Sequence, residues 1–135
     1  MQCIVHGIGD LSVRLAVNTF ALLGHATVKR LRHCIEHFEL SAEADVCRLV
    51  ELDATVSAQP AHSVGAILGK WHHKLGCHCF RCWCAFARRD FLGKGAPMAI
   101  ATNDTTASIP PLHYFHMATT RHHPSQLQRE PPTMQ

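Results

Sequence analysis

Apolar and polar positions recur with a helical period over much of the first 75 residues. After the turn signal Gly7-Ile8-Gly9, Asp10 stands where a helix N-cap belongs, and Gly24 stands where a helix ends. The segment between them is apolar around most of its circumference, which is typical of a buried helix. The pattern therefore predicts a first helix that begins at Asp10 and ends before Gly24.

The same period predicts three further helices. Within 27–40 the apolar residues fall in one arc and the charged residues occupy the other side. Ser41 is placed to cap a third helix, whose first turn is acidic as the helix dipole favours, and which ends in 54–60. A fourth helix fits 61–75, with Gly76 as its terminator. About four short amphipathic helices indicate an all-α fold.

The character of the chain changes at residue 96. Six of the seven prolines lie beyond this point, polar residues fill the gaps, and no period continues. Such composition favours a flexible chain. We therefore expect a small helical domain at 1–95 and a disordered, proline-containing tail at 96–135.

Length and composition suggest that a ligand contributes to stability. The 135 residues correspond to one domain with a modest core, since 47% of them are apolar. A domain of this size is marginally stable by burial alone, so a bound metal or disulfides would add to it. Twelve histidines and seven cysteines supply an unusual number of metal ligands.

These ligands are densest at 72–84, which the sequence leaves as either a continued helix or a metal-organised loop. Cys79 and Cys82 have the C-x-x-C spacing that gives zinc two ligands from one turn. The full set of candidate metal ligands is Cys77, Cys79, Cys82, Cys84, His72, His73 and His78. The segment predicts a structural zinc site, while buried thiols and disulfides are the alternatives.

A second motif reads H-x-x-E-H at His33-Cys34-Ile35-Glu36-His37. It resembles the zinc motif of the inverzincin peptidases over five residues. The resemblance implies zinc ligands at His33 and His37 and a water-polarising base at Glu36. The family also needs a downstream glutamate as third ligand, and beyond Glu51 this chain has only Glu130.

Charge and hydropathy leave several other classes of function open. Basic residues form two loose groups, one near Lys29 and one between Lys70 and Lys94, and the second is interleaved with aromatics, as in some nucleic-acid binding surfaces. No apolar stretch reaches the ~20 residues of a membrane span. A signal peptide at Leu15–Gly24 would make the chain a secreted, disulfide-bonded domain, but Asp10 opposes the positive charge that such a leader carries.

No specific function follows from these patterns alone. The interpretation that fits most of them is a small intracellular zinc-binding protein that acts through contacts, with a protein partner, and not through catalysis. The alternatives are a translated open reading frame without an evolved biochemical role, a secreted disulfide-bonded domain, and an H-x-x-E-H zinc hydrolase.

Overall fold

The computed structural model of the chain describes residues 1–63, 85, 88–102 and 110–120. Within these residues four parallel strands form a sheet in the order β1-β2-β3-β4. The strands are β1 (Ile4–Gly7), β2 (Cys34–His37), β3 (Thr55–Ala58) and β4 (Met98–Ile100). The helices are α1 (Asp10–Leu23), α2 (His25–Leu31), α3 (Glu43–Glu51), a 3₁₀ helix (Pro60–Ser63), α4 (Arg88–Gly93) and α5 (Pro111–Thr120). The fold is therefore α/β, and the all-α prediction is wrong.

The second and third predicted helices are wrong in part, because a strand occupies part of the range of each. The helix expected over 27–40 stops at Leu31, because Arg32 adopts the left-handed conformation (φ 51°) and β2 follows. The third predicted helix also ends early, at Glu51, because Asp53 adopts the left-handed conformation (φ 53°) and β3 follows. Strands β2 and β3 have four residues each and alternate between core-facing and polar positions, so they contain too few periods for the pattern to separate them from the neighbouring helices.

The structure also bears on the first and fourth predicted helices and on the range 96–135. The first helix is confirmed at Asp10–Leu23, although Gly9 is its N-cap and its outer face is exposed at Leu11, Leu15 and Leu22. Residues 61–63 of the fourth predicted helix lie in the 3₁₀ helix Pro60–Ser63, and 64–75 lie outside the described residues. Strand β4 and helix α5 lie within 96–135, a range in which the sequence predicted no regular element.

The hydrophobic core lies on one face of the sheet. Side chains alternate along each strand, and Val5, Ile35, Val56 and Met98 lie in register on the core face. The helical residues that pack there are Val13, Val17 and Phe20 of α1, Val46 and Leu49 of α3, and Phe91 of α4. One of these helices lies in each connection between consecutive strands, and the described helices α1, α3 and α4 all cover the same face, as right-handed crossovers of sequentially ordered strands require. Burying each large apolar side chain contributes about 1.5–3 kcal/mol.

Close packing at the end of β1 requires a glycine. A Cβ placed on Gly7 would lie 2.7 Å from Ile35 Cγ2 and 3.2 Å from Val13 Cγ2. Any side chain at this position would push α1 away from β2. Gly7 therefore lets the helix approach the sheet and keeps the loop after β1 close to the end of β2.

A buried carboxylate joins α1 to α3. Asp45, in the first turn of α3, accepts hydrogen bonds from Arg14 of α1 at 3.1 Å and from Arg48 at 3.4 Å. Arg48 also donates to Asn18 of α1 at 2.8 Å. The charge of Asp45 is thus compensated from both helices, and it fixes how they pack on the sheet.

In the described part of the chain, no single helix has the length and apolarity that crossing a membrane requires. Helices α1 and α2 meet these limits only as a pair, which is bent by 105° between them.

Candidate metal centre

Three potential metal ligands meet where the parallel strands end. His37 is the last residue of β2, Glu39 follows two residues later, and His62 lies in the 3₁₀ helix after β3. The ligand atoms of the three side chains lie within 4.8 Å of one another. The carboxyl ends of parallel strands share one edge of the sheet, so segments distant in sequence come together there. Among the described residues this is the one such group of three or more His, Cys, Asp or Glu.

A tight turn after β2 aims His37 and Glu39 at the same point. His37 has φ 73° and Phe38 has φ 48°, both in the region that side chains seldom adopt. The Phe38 N–H donates to the Glu36 carbonyl at 3.0 Å, which closes a three-residue turn centred on His37. Two such residues cost roughly 1–3 kcal/mol each. Strain of this kind is concentrated at functional sites.

Packing on both sides holds this strained turn in place. Phe38 is buried and its ring packs on Phe91 of α4, with the centroids 5.6 Å apart. The Leu40 N–H donates to the Ile8 carbonyl at 3.0 Å, which ties the segment after β2 to the segment after β1. Glu39 lies between these two anchors, so its position is set by the core and by the sheet.

Direct contacts link the three ligands. Nδ1 of His62 lies 2.5 Å from Oε1 of Glu39, and the rings of His37 and His62 stack with centroids 5.4 Å apart. Glu39 is 3% exposed, so its carboxylate is desolvated and needs a positive partner. The ring of His62 faces this carboxylate directly, and a metal ion held among the three side chains would balance its charge.

His6 of β1 orients the ring of His37. Nδ1 of His6 lies 2.8 Å from Nε2 of His37, so one ring donates a hydrogen to the other. Nδ1 of His37 is buried, has no hydrogen-bond partner among the described residues, and lies 3.9 Å from Oε1 of Glu39. The tautomer with its hydrogen on Nε2 donates to His6 and leaves the Nδ1 lone pair facing Glu39 and His62, which is the form that a metal ion would require.

The pKa of His37 favours the form that binds metals. Burial lowers the pKa of this imidazole below its ordinary value, and the neighbouring His6 and His62 lower it further, against the opposing charges of Glu39 and Glu36. A neutral imidazole has the free lone pair that a metal ion needs. The buried, unpartnered Nδ1 therefore fits a metal ligand.

Polar side chains continue from the cluster onto the second face of the sheet. Glu36 lies in register between His6 and Ser57, and its Oε2 accepts a hydrogen bond from Gln59 at 2.7 Å. Cys34 precedes it on the same face. Burial, followed by the charge of Glu36, raises the pKa of the Cys34 thiol to about 11, so this thiol stays protonated and is a poor nucleophile.

The structure corrects the ligand pair that the H-x-x-E-H resemblance implied. Residues 34–37 form a strand, so side chains four residues apart are separated by roughly 13 Å along it. Nδ1 of His33 accepts from the Cys3 N–H at 2.9 Å, and the ring stacks on Phe20. His33 is therefore a core residue at the opposite end of β2 from His37, and the two cannot share one ion.

The Cys/His-rich segment lies outside the described residues, so the zinc site expected there stays a prediction. This concerns Cys77, Cys79, Cys82, Cys84, His72, His73 and His78. Glu39 and His62, by contrast, did not emerge from the sequence. They are 23 residues apart and belong to no spacing motif. Only knowledge that β2 and β3 are adjacent parallel strands would have paired them.

An α/β fold with a His/Glu/His cluster at the carboxyl ends of its strands belongs among architectures that often hold catalytic sites.

No protein-family model and no curated protein matches the chain. Two solved structures resemble it, both described as uncharacterised metal-dependent hydrolases. The protein from Pyrococcus furiosus has 22% identity and a TM-score of 0.69, over 89% of this chain and 23% of that one. The protein from Pyrococcus horikoshii OT3 has 20% identity and a TM-score of 0.72, over 90% and 23%.

These likenesses establish the fold. The chain spans about a quarter of the length of either hydrolase, and its identity to them is low.

Proposed function

We propose that the chain binds a divalent metal ion through His37, Glu39 and His62 and takes part in metal-dependent hydrolysis. The observation that carries this proposal is the convergence of three ligand atoms within 4.8 Å, one of them a buried imidazole nitrogen without a hydrogen-bond partner. Two imidazoles and one carboxylate are a ligand set that catalytic zinc sites use, with a fourth position left for water. The names of the two similar structures support the same class of activity.

Each residue of the proposed site has a distinct role. His37 and His62 offer ring nitrogens as ligands, and Glu39 offers the negative charge that balances a cation in a buried place. A divalent metal in such a site supplies a Lewis acid and lowers the pKa of water. In the metal-bound form His6 would accept the Nε2 hydrogen of His37 and so fix which nitrogen faces the metal, as outer partners of ligating histidines commonly do. Gln59 holds Glu36 on the adjoining polar face.

Zinc is the first metal to test, because the His/His/Glu set suits it and the 72–84 segment was expected to bind it as well. The ligand set also accommodates other first-row divalent ions. Hydrolysis by this chain on its own is part of the proposal, since the similar hydrolases are about four times as long.

The test is metal-dependent hydrolysis in matched variants. Chelator-treated protein is reloaded with zinc, manganese or nickel and assayed against a library of peptides, simple amides and esters. His37→Gln removes one ligand, and His25→Gln, at an exposed position of α2, is its control. We expect hydrolysis that needs metal, persists in His25→Gln, and falls at least ~100-fold in His37→Gln. Equal rates in both variants, or no dependence on metal, would contradict the proposal.

A further inference from the structure

A carboxylate and an amide form a hydrogen-bonded pair beside the metal centre, on the polar face of the sheet. Nε2 of Gln59 donates to Oε2 of Glu36 at 2.7 Å. Glu36 directly precedes the ligand His37 in β2. Gln59 is tied to the ligand His62, whose backbone N–H donates to the Gln59 carbonyl at 3.1 Å. Each member of the pair is therefore joined through the backbone to one of the proposed metal ligands.

The charge of Glu36 has no cationic partner in the described part of the chain. The ion pairs found there belong to other carboxylates, those of Asp45, Asp53 and Glu39. The hydrogen bond that Glu36 accepts from Gln59 comes from a neutral amide. Glu36 is only partly exposed, so water does not fully replace a partner. A carboxylate in such surroundings is stabilised by a cation that makes hydrogen bonds to it.

The amide oxygen of Gln59 also lacks a partner among the described residues. Gln59 is 3% exposed, and its Oε1 accepts no hydrogen bond there. Cys34 and Ser57, on the same face of the sheet, are buried as well, so the amide lies in a desolvated place. A buried acceptor without a donor is costly to the fold. Such an atom calls for a donor that comes from a bound molecule.

The free polar atoms of this pair are acceptors, and one of them carries a negative charge. Oε1 of Glu36 and Oε1 of Gln59 accept hydrogen bonds and donate none. A protonated amine or a guanidinium group combines a positive charge with several N–H donors, so it can satisfy both atoms at once. A carboxylate or phosphate group would be repelled by Glu36 and would bring no donor. The chemistry of the pair therefore selects a cationic nitrogen.

We propose that Glu36 and Gln59 bind an ammonium or guanidinium group of the substrate while the bond to be hydrolysed lies at the metal centre. The inference rests on the function proposed above and gives that hydrolase its substrate class. The cationic nitrogen and the scissile bond are close together in such a substrate, because Glu36 and His37 are consecutive residues with Cα atoms about 3.8 Å apart. His6 of β1, in register with Glu36, is exposed, so the pair can be reached from that side.

The first test uses probes without a hydrolysable bond, so its result does not depend on hydrolysis. Butylammonium and butylguanidinium are titrated into the full chain and their binding is followed by NMR. Butyltrimethylammonium, which has the charge but no N–H, and butanol, which has no charge, are the matched controls. We expect saturable binding of the first two probes and at least ~10-fold weaker binding of the controls, because these lack the charge-assisted hydrogen bonds.

The second test locates the binding at the pair. Glu36→Gln keeps the shape of the side chain and removes its charge, so it should weaken binding of butylammonium at least ~10-fold. Glu43→Gln, the same change at an exposed position of α3, is the control and should bind as the unmodified protein does. If Glu36→Gln fails to fold, the unmodified protein decides: the side-chain amide signal of Gln59 should shift with butylammonium and stay in place with butanol.

The outcomes separate this inference from the proposed function. Absence of binding, equal binding of all four probes, equal binding by Glu36→Gln and Glu43→Gln, or an unmoved Gln59 signal would each overturn the inference. Metal-dependent hydrolysis without amine binding would support the proposed function and overturn the inference alone. Specific amine binding by a protein that hydrolyses nothing would support the cation site and contradict the proposed hydrolysis.

Discussion

Replacing Glu39 by Gln should remove most of the stability that a metal ion gives to the fold. The change keeps the shape of the side chain but deletes the charge that lies among His37 and His62. At a concentration 100 times its dissociation constant, a ligand of the folded state stabilises it by about 2.7 kcal/mol. Loss of a partner outside the ligand set weakens metal binding 10–100-fold, so loss of a ligand should cost at least ~100-fold. The variant would then gain only ~0.4 kcal/mol at the same metal concentration.

Thermal unfolding with and without zinc measures this difference. For a domain of this size 1 kcal/mol shifts Tm by roughly 3–5 °C, so zinc should raise Tm by about 10 °C in the unmodified protein and by ~2 °C in Glu39→Gln. Zinc held elsewhere, for example at 72–84, contributes equally to both. Glu43→Gln, at an exposed position in α3, is the control and should respond as the unmodified protein does. A full zinc response in Glu39→Gln would refute the role given to this carboxylate.

Four further outcomes are expected. Burial lowers the pKa of His37, so the ring binds a proton at a higher pH in the unfolded chain than in the folded one. The contribution of this difference to the free energy of unfolding is intact above pH ~6.5 and is lost below it. In metal-free His37→Gln, the free energy of unfolding measured by urea titration should therefore fall less steeply as the pH is lowered. Gly7→Ala should lower the free energy of unfolding by ~1–3 kcal/mol through its clash with the core, as equilibrium denaturation would show. Truncation after Gly95 removes β4 and should reduce both helical signal and Tm; an unchanged melt would show that the strand adds nothing. Cys79→Ser with Cys82→Ser should lower zinc stoichiometry by about one per chain in mass spectrometry if the 72–84 segment binds zinc.

The sequence predicts helices better than strands in this chain, for a physical reason. Helix α1 was identifiable because Gly24 ends a long apolar segment, and a helix of 14 residues contains several periods. Strands β2 and β3 have four residues each, so each contains only two repeats of the strand period, and their residues merged with the patterns of the neighbouring helices. The left-handed residues that separate them, Arg32 and Asp53, are not glycines and gave no signal.

The candidate site was recognised only in part. His37 and Glu36 belonged to a motif, but its assumed helix would have placed His33 beside His37, and the strand places them far apart. Glu39 and His62 are brought together by the adjacency of β2 and β3, which is a property of the sheet and not of local spacing. Metal chemistry could therefore be anticipated from composition, whereas the ligands required the topology.

The most direct test of the metal centre is anomalous X-ray diffraction at the zinc edge from crystals of the zinc-loaded protein. A peak is expected about 2.0–2.2 Å from Nδ1 of His37, from a carboxylate oxygen of Glu39 and from a ring nitrogen of His62. It should be absent from crystals of Glu39→Gln grown in the same way. Zinc found only at other positions in the unmodified protein would contradict the assignment of this cluster as a metal centre.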